Sequence, residues 1–242
     1  MNQLRSFLSD PKRSSSREYI LTTRLIHDLT VAAAARGYDL LVYLPTVDAD
    51  GFDVILDDRD RLVPVQLKAM VMGGTSADWA IRRTLIRPKL EDADAYGFES
   101  SPTGVGRGGG VILTMAGTTD ESTVDVRYAY TDIDVLSAMW LNIIPPAPSS
   151  QKRLRRLRSE LESDHKGDVR LPRSAFLRAP SPDHLLALAG LHSQADRPWR
   201  LQLRKLLRKL YLRVETPIPE EVLRRNIRKY LEDLSTPFRI EP

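Results

Sequence analysis

The chain has no cysteine, which excludes disulfide bonds, zinc–thiolate centres and thiol nucleophiles. It has no apolar run of the roughly 18–20 residues that a membrane-spanning helix needs. Its N-terminal segment lacks the apolar stretch and the small-residue cleavage site of a secretory signal. Its four histidines share no metal-ligand spacing, and no Ser-His-Asp arrangement is evident. We therefore expect a cytoplasmic protein without a membrane partner.

What the chain does have is charge, divided unevenly along its 242 residues. Residues 1–150 contain 15 lysines and arginines against 20 aspartates and glutamates, a net charge of −5. Residues 151–242 contain 21 against 12, a net charge of +9. An acidic part is suited to binding a cation, and a basic part attracts a polyanion such as nucleic acid.

Hydrophobic periodicity predicts an α/β core with a mixed sheet in residues 1–145, followed by a basic, mainly helical region in residues 151–242. The proline-rich segment Ile143–Ser150 is the predicted linker. The predicted elements are a helix ended by Gly37 (Ser16–Arg36), three strands (Asp39–Leu44, Phe52–Leu56, Leu62–Met70), a helix interrupted by Pro88 (Trp79–Tyr96), strands from Val111 and Val124, and helices after Ser181, Asp196 and Pro219.

Three polar residues lie on the hairpin that the second and third strands are expected to form. Gln66 and Lys68 are two residues apart on one strand, so their side chains project from the same face. Val65 and Leu67 then face the core. Asp53 begins the paired strand, where the hairpin brings its carboxylate near Gln66. An acid, an amide and an amine are therefore expected to converge at one end of a small sheet.

Glu18 lies in the middle of the apolar face of the first predicted helix, within about 20° of Leu25 and Leu29 at 100° per residue. A carboxylate in that position is costly unless it is paired or bound to a metal. The alternative is a capping box with Ser15, in which Glu18 only satisfies an amide at the helix end.

The chain resembles the PD-(D/E)XK nuclease superfamily, which has a restriction-endonuclease-like α-β-β-β-α-β core. It is most similar to bacterial branches with a D-x-G-x-D strand and a V-Q-x-K strand. The resemblance covers about Ser16 to Met115 and is carried by Asp50-Gly51-Phe52-Asp53 and Val65-Gln66-Leu67-Lys68.

The resemblance implies a Mg²⁺ or Mn²⁺ site. Asp53, the Gln66 amide oxygen and the Leu67 carbonyl would bind the metal, and Glu18 would match the helix-borne acid that many members use through water. Lys68 would orient the attacking water or help to deprotonate it, and would offset charge on the pentacovalent phosphate. Oxygen ligands suit a hard cation. Gln66 departs from the usual acid, and a neutral ligand weakens Mg²⁺ binding.

A basic helix is predicted after Asp196, with leucines on one face. The cations that cover most of the remainder are candidates for contact with nucleic-acid phosphates: Arg200, Arg204, Lys205, Arg208 and Lys209. The alternatives are a core helix with a solvated cationic side, or a helix lying on a membrane surface. The glycine run Gly104–Gly110 lacks the ending of a phosphate-binding loop and precedes a strand, so a flexible loop is predicted.

Three functions are consistent with these features. The first is a metal-dependent endonuclease that hydrolyses DNA phosphodiester bonds, with a homodimer left open. The second is a nuclease-fold protein that binds nucleic acid without turnover, which is motivated by Gln66. The third is a protein-interaction scaffold whose cationic helices meet an acidic partner.

Overall fold

The computed structural model describes residues 3–46, 51–74, 76–99, 106–119, 122–163, 167–195 and 197–237. They form a mixed α/β structure with a mixed sheet and flanking helices. The helices are α1 (Gln3–Ser9), α2 (Ser14–Ala34), α3 (Arg83–Ile86), α4 (Ile133–Trp140), α5 (Pro148–Glu162), α6 (Pro182–Ala189), α7 (Trp199–Tyr211) and α8 (Glu220–Leu234). The strands are β1 (Leu41–Tyr43), β2 (Val54–Asp57), β3 (Leu62–Val71), β4 (Asp78–Arg82), β5 (Gly110–Thr118), β6 (Val124–Asp132), β7 (Asp168–Pro172), β8 (Leu177–Ala179) and β9 (Thr236–Pro237).

The larger sheet has the strand order β1-β2-β3-β5-β6-β8-β9. Strands β3 and β5 are parallel, and all the other neighbours in this sheet are antiparallel. Strands β4 and β7 form a separate antiparallel pair. The chain between the two parallel strands contains β4 and α3, because a parallel pair needs a crossover and a tight turn cannot connect it.

Helix α2 packs an apolar stripe against the sheet. Leu21, Leu25, Leu29 and Ala33 recur at every fourth position, and all four are buried. Each buried leucine contributes roughly 1.5–3 kcal/mol relative to an exposed one. The helix begins and ends two residues earlier than predicted. Gly37, just beyond its end, adopts a φ of 75°, a conformation that favours glycine.

The helix predicted for Trp79–Tyr96 is wrong at its start. Residues Asp78–Arg82 form strand β4, followed by the single turn of α3 and by a 3-10 segment at Leu90–Tyr96. Strand β4 pairs with Asp168–Pro172, which lies about ninety residues further along the chain. A partner so distant in sequence leaves no local signal, so helical spacing alone was misleading.

The segment Ile143–Ser150, predicted as a linker, does not separate two packing units. Ile143 and Ile144 are buried in the same apolar core as residues from both sides of the segment, and α5 already begins at Pro148. Strand β8 extends the sheet through β6, and β7 pairs with β4. The described residues after position 150 therefore complete the sheets begun by the described residues of 1–145 and share their core.

The helices predicted near the C-terminus are present. Ser181 caps α6, and its Oγ accepts a hydrogen bond from the His184 amide at 3.4 Å. Helices α7 and α8 follow, with leucines and Ile227 on their buried faces. Within the described part of the chain, no helix is both long enough and apolar enough to cross a membrane.

Candidate metal and phosphate site

Asp53 lies where β2 separates from β3. Its amide donates to the Val65 carbonyl at 2.9 Å, and its Oδ2 accepts from the Leu67 amide at 2.6 Å. The last paired residues of the two strands are Val54 and Val65, so beyond them the Asp53 carboxylate takes the place of a strand partner for Leu67. Because the N–H and C=O of a strand residue point to the same neighbour, the Leu67 carbonyl is also directed to this side.

Gln66 and Lys68 lie on one face of the sheet, and α2 lies on the other. Ala69 and Val71 of β3 pack against a small apolar cluster that includes Leu21 of α2. Side chains alternate along a strand, and the regular pairing of β3 with β5 excludes a bulge that would change this alternation. Gln66 and Lys68 therefore project away from α2.

Strand β4 covers the face that carries Gln66. The Gln66 Oε1 accepts a hydrogen bond from the Arg82 amide at 3.4 Å. This bond holds the amide oxygen, the atom that would face a cation, against the end of β4. A glutamine oxygen has two lone pairs, so one hydrogen bond leaves capacity for a second interaction.

Lys68 is half-buried. Its amine forms no hydrogen bond or ion pair with the residues that the structure describes. A partly buried amine without a counter-charge favours an anionic ligand, because burial weakens its interaction with water. It is one of the polar side chains of this face that a bound phosphate could complement.

Gly51, two residues before Asp53, packs closely against Arg82 at the end of β4. It is buried and has a φ of 77°, which favours glycine. A Cβ at this position would lie 1.9 Å from Cγ of Arg82, so only a residue without a side chain allows the two segments to approach. Asp50, which precedes it in the predicted motif, lies outside the described residues.

Glu18 is not part of this arrangement. It is exposed, it belongs to the helix on the opposite face of the sheet, and the buried stripe of α2 begins only at Leu21. The prediction of a carboxylate within the apolar face is therefore corrected. The capping box with Ser15 is also absent, because α2 begins at Ser14 and no side chain caps it.

Arg200 is corrected as a phosphate-binding candidate. It is buried and forms ion pairs with Asp132, at 2.6 Å, and with Asp134, and it donates to the Leu188 carbonyl. Burial lowers the pKa of its guanidinium, but the two carboxylates outweigh burial and raise that pKa above its ordinary value. Arg200 is thus the centre of a buried ionic cluster and cannot face a solvent-borne ligand.

Two tyrosines complete this cluster. The Tyr130 hydroxyl donates to Asp132 at 3.0 Å, and the Tyr96 hydroxyl donates to Asp134 at 2.5 Å. Desolvation raises the pKa of both phenols, and the neighbouring carboxylates raise it further. Sequence reasoning missed the cluster, although two aspartates inside the apolar run TDIDVL were a usable signal for buried, paired carboxylates.

The other cations of α7 keep their solvent access. Arg204, Lys205 and Arg208 are exposed, and Lys209 is half-buried. The buried face of the helix is formed by Trp199, Leu203, Leu206 and Leu207 together with Arg200. The helix therefore packs by its apolar side and presents a cationic side, as both the core-helix and the phosphate-binding interpretations require.

The described part of the glycine run is not a free loop. The amides of Arg107, Gly108 and Gly109 donate to three carbonyls of the α3 region at 2.7–2.9 Å. A Cβ on Gly106 would lie 2.1 Å from the Arg87 carbonyl oxygen. The glycines allow backbone to pack on backbone, which corrects the prediction of a flexible loop for residues 106–109.

The donor set fits a hard cation in type, since the carboxylate of Asp53, the amide of Gln66 and the carbonyl of Leu67 are all oxygen donors. Among the described residues, no three acids or histidines come together as a metal-binding group. Comparisons with protein-family models, with curated proteins and with solved structures find no match to this chain. Its function is therefore inferred from these side chains.

Proposed function

We propose that the chain is a Mg²⁺- or Mn²⁺-dependent endonuclease acting on DNA, with a core of the PD-(D/E)XK type. The order of α2, β1, β2, β3, α3 and β5 supports this fold, because β1–β3 are antiparallel and β5 runs parallel to β3. Strands β4, β6, β7, β8 and β9 are additions to that core.

The contact between Asp53 and the Leu67 amide carries the proposal. It brings a carboxylate against the main chain between Gln66 and Lys68, and this supports a shared site for the three residues. Three oxygen donors from Asp53, Gln66 and Leu67 would hold the cation. Gln66 and Leu67 belong to β3, and Asp53 directly precedes β2 and is tied to β3 by its bond to the Leu67 amide.

A bound divalent cation supplies charge stabilisation at phosphorus and a lowered pKa for attacking water. Lys68 would orient that water and offset the negative charge that develops on the phosphate. In the reaction, the water oxygen bonds to phosphorus and loses a proton to solvent, one P–O ester bond breaks, and the departing alkoxide takes a proton from solvent. The exposed cations of α7 would contact neighbouring phosphates, which adds affinity without sequence preference.

The test is nicking of supercoiled plasmid with Mg²⁺ or Mn²⁺. We expect Asp53→Ala and Lys68→Ala to lower the rate by about a hundredfold or more, and a chelator to abolish it. Asp57→Ala is the matched control, because Asp57 lies at the other end of β2. Cleavage that persists in both site variants would remove this site from the proposal.

The second candidate is a nucleic-acid-binding protein of the same fold that does not cleave. The specific observation in its favour is Gln66, a neutral residue whose oxygen already accepts a bond from the Arg82 amide. This candidate predicts salt-sensitive DNA binding by a wild-type chain that leaves plasmid intact with either metal. Metal-dependent nicking would exclude it.

A further inference from the structure

Arg82 is held beside the candidate site by its main chain. It is the last residue of β4, and its amide donates to Gln66 Oε1 at 3.4 Å. Its segment was predicted to be helical, so Arg82 was not among the predicted site residues. The position of Arg82 depends on the pairing of β4 with β7.

The stem of Arg82 lies against Gly51, two residues before Asp53. A Cβ on Gly51 would fall 1.9 Å from Cγ and 2.6 Å from Cβ of Arg82. These atoms are at the base of the Arg82 side chain. The contact with Gly51 therefore fixes the position of that base. The main-chain amide of Arg82 is therefore held by Gln66 and the base of its side chain by Gly51, which leaves the guanidinium itself outside both contacts.

The guanidinium itself is only weakly engaged. Its ion pair with Asp168 is 3.5 Å long, and the two side chains are 51% and 47% exposed. Long, exposed pairs of this kind contribute little, so Arg82 can exchange Asp168 for another anion. By contrast, Arg170 of the same small sheet is 2.7 Å from Asp78, whose side chain is 20% exposed.

We propose that Arg82 binds a phosphate of the DNA substrate next to the one held at Asp53 and Gln66. The inference rests on the proposed function, because it takes the anion to be a phosphodiester. A planar guanidinium can give two parallel hydrogen bonds to phosphate oxygens, which a lysine amine cannot. Arg82 is thus a substrate-binding residue. In the absence of DNA its guanidinium is paired with Asp168.

The experiment measures the binding of a short fluorescein-labelled DNA duplex by fluorescence anisotropy. All proteins carry Asp53→Asn, so that no cleavage occurs, and salt concentration is varied. Arg82→Ala is expected to weaken binding about tenfold and to reduce the slope of log affinity against log salt by about one. Arg82→Lys keeps the charge and should recover part of the loss. The matched control, Arg170→Ala, removes a cation of the same sheet and should change affinity less than about threefold.

Asp168→Asn separates substrate binding from a structural ion pair. If Arg82 matters only through that pair, Asp168→Asn should weaken DNA binding as Arg82→Ala does. If Arg82 binds phosphate, Asp168→Asn should leave binding unchanged or tighten it, since a competing carboxylate is removed. Equal binding by Arg82→Ala and Arg170→Ala would overturn the proposal, as would a loss of binding in Asp168→Asn.

The outcome is independent of the nicking assay. A wild-type chain that never cleaves, but whose duplex binding depends on Arg82, would overturn the endonuclease and keep Arg82 as a phosphate-binding residue. Cleavage that depends on Asp53 with no effect of Arg82 on binding would keep the endonuclease and overturn the role of Arg82. No duplex binding by the Asp53→Asn chain would also overturn that role.

Discussion

The carboxylate of Asp53 and the main-chain amide of Leu67 form a 2.6 Å hydrogen bond across two strands. A hydrogen bond to a charged group contributes roughly 1.5–3 kcal/mol, more than a neutral pair. The acid is therefore positioned by the backbone of the neighbouring strand as well as by its own rotamer. This hydrogen bond holds Asp53, which lies just outside β2, beside the segment of β3 that carries Gln66 and Lys68.

Gln66→Glu should tighten metal binding. A carboxylate can accept the same bond from the Arg82 amide, so the local geometry is kept. The substitution adds a negative charge beside Asp53, and we expect half-maximal nicking at a roughly tenfold lower Mg²⁺ concentration, equivalent to about 1.4 kcal/mol. Gln202→Glu, the same change on α7, is the control for net charge. An equal response of the two variants in a metal titration would contradict the prediction.

Gly51→Ala should damage both stability and the site. The new Cβ would be forced into a left-handed backbone, at a cost of roughly 1–2 kcal/mol, and would also collide with the stem of Arg82. Gly37→Ala is the matched control, because its φ is 75° and nothing lies within 4 Å of an added Cβ. We expect urea unfolding to show a larger loss for Gly51→Ala, and only that variant to lose DNA affinity. Equal losses of stability would show that the contact with Arg82 is unimportant.

Arg200→Ala should lower the free energy of unfolding. We expect this effect because Arg200 stabilises the fold and does not contact DNA. It would leave Asp132 and Asp134 buried without their counter-charge, which costs about 3–5 kcal/mol. Arg208→Ala, on the exposed side of the same helix, should change the free energy of unfolding by less than about 0.5 kcal/mol. Denaturant unfolding of the two variants measures the difference. A stable Arg200→Ala protein with weakened DNA binding would restore Arg200 as a ligand contact.

Local sequence patterns were sufficient to predict that Asp53, Gln66 and Lys68 lie close together. The spacing of Gln66 and Lys68 places both on one face of a strand, and the short connection between β2 and β3 brings Asp53 close. The apolar stripe of α2 was visible for the same reason, since its members recur every four residues. Glu18 shows the limit of this reasoning, because a helical wheel does not tell where along the helix the packed region begins.

The amino-acid sequence by itself determined the helices and strands whose partners are close in the chain, and the order of polar residues along β3. Only the tertiary structure decided that β4 is a strand, that Arg82 borders the candidate site, and that Arg200 is buried between two aspartates. The physical reason is that strand pairs and ion pairs can form between residues that are far apart in sequence. The free energy of such contacts depends on the folded arrangement, and no local pattern records it.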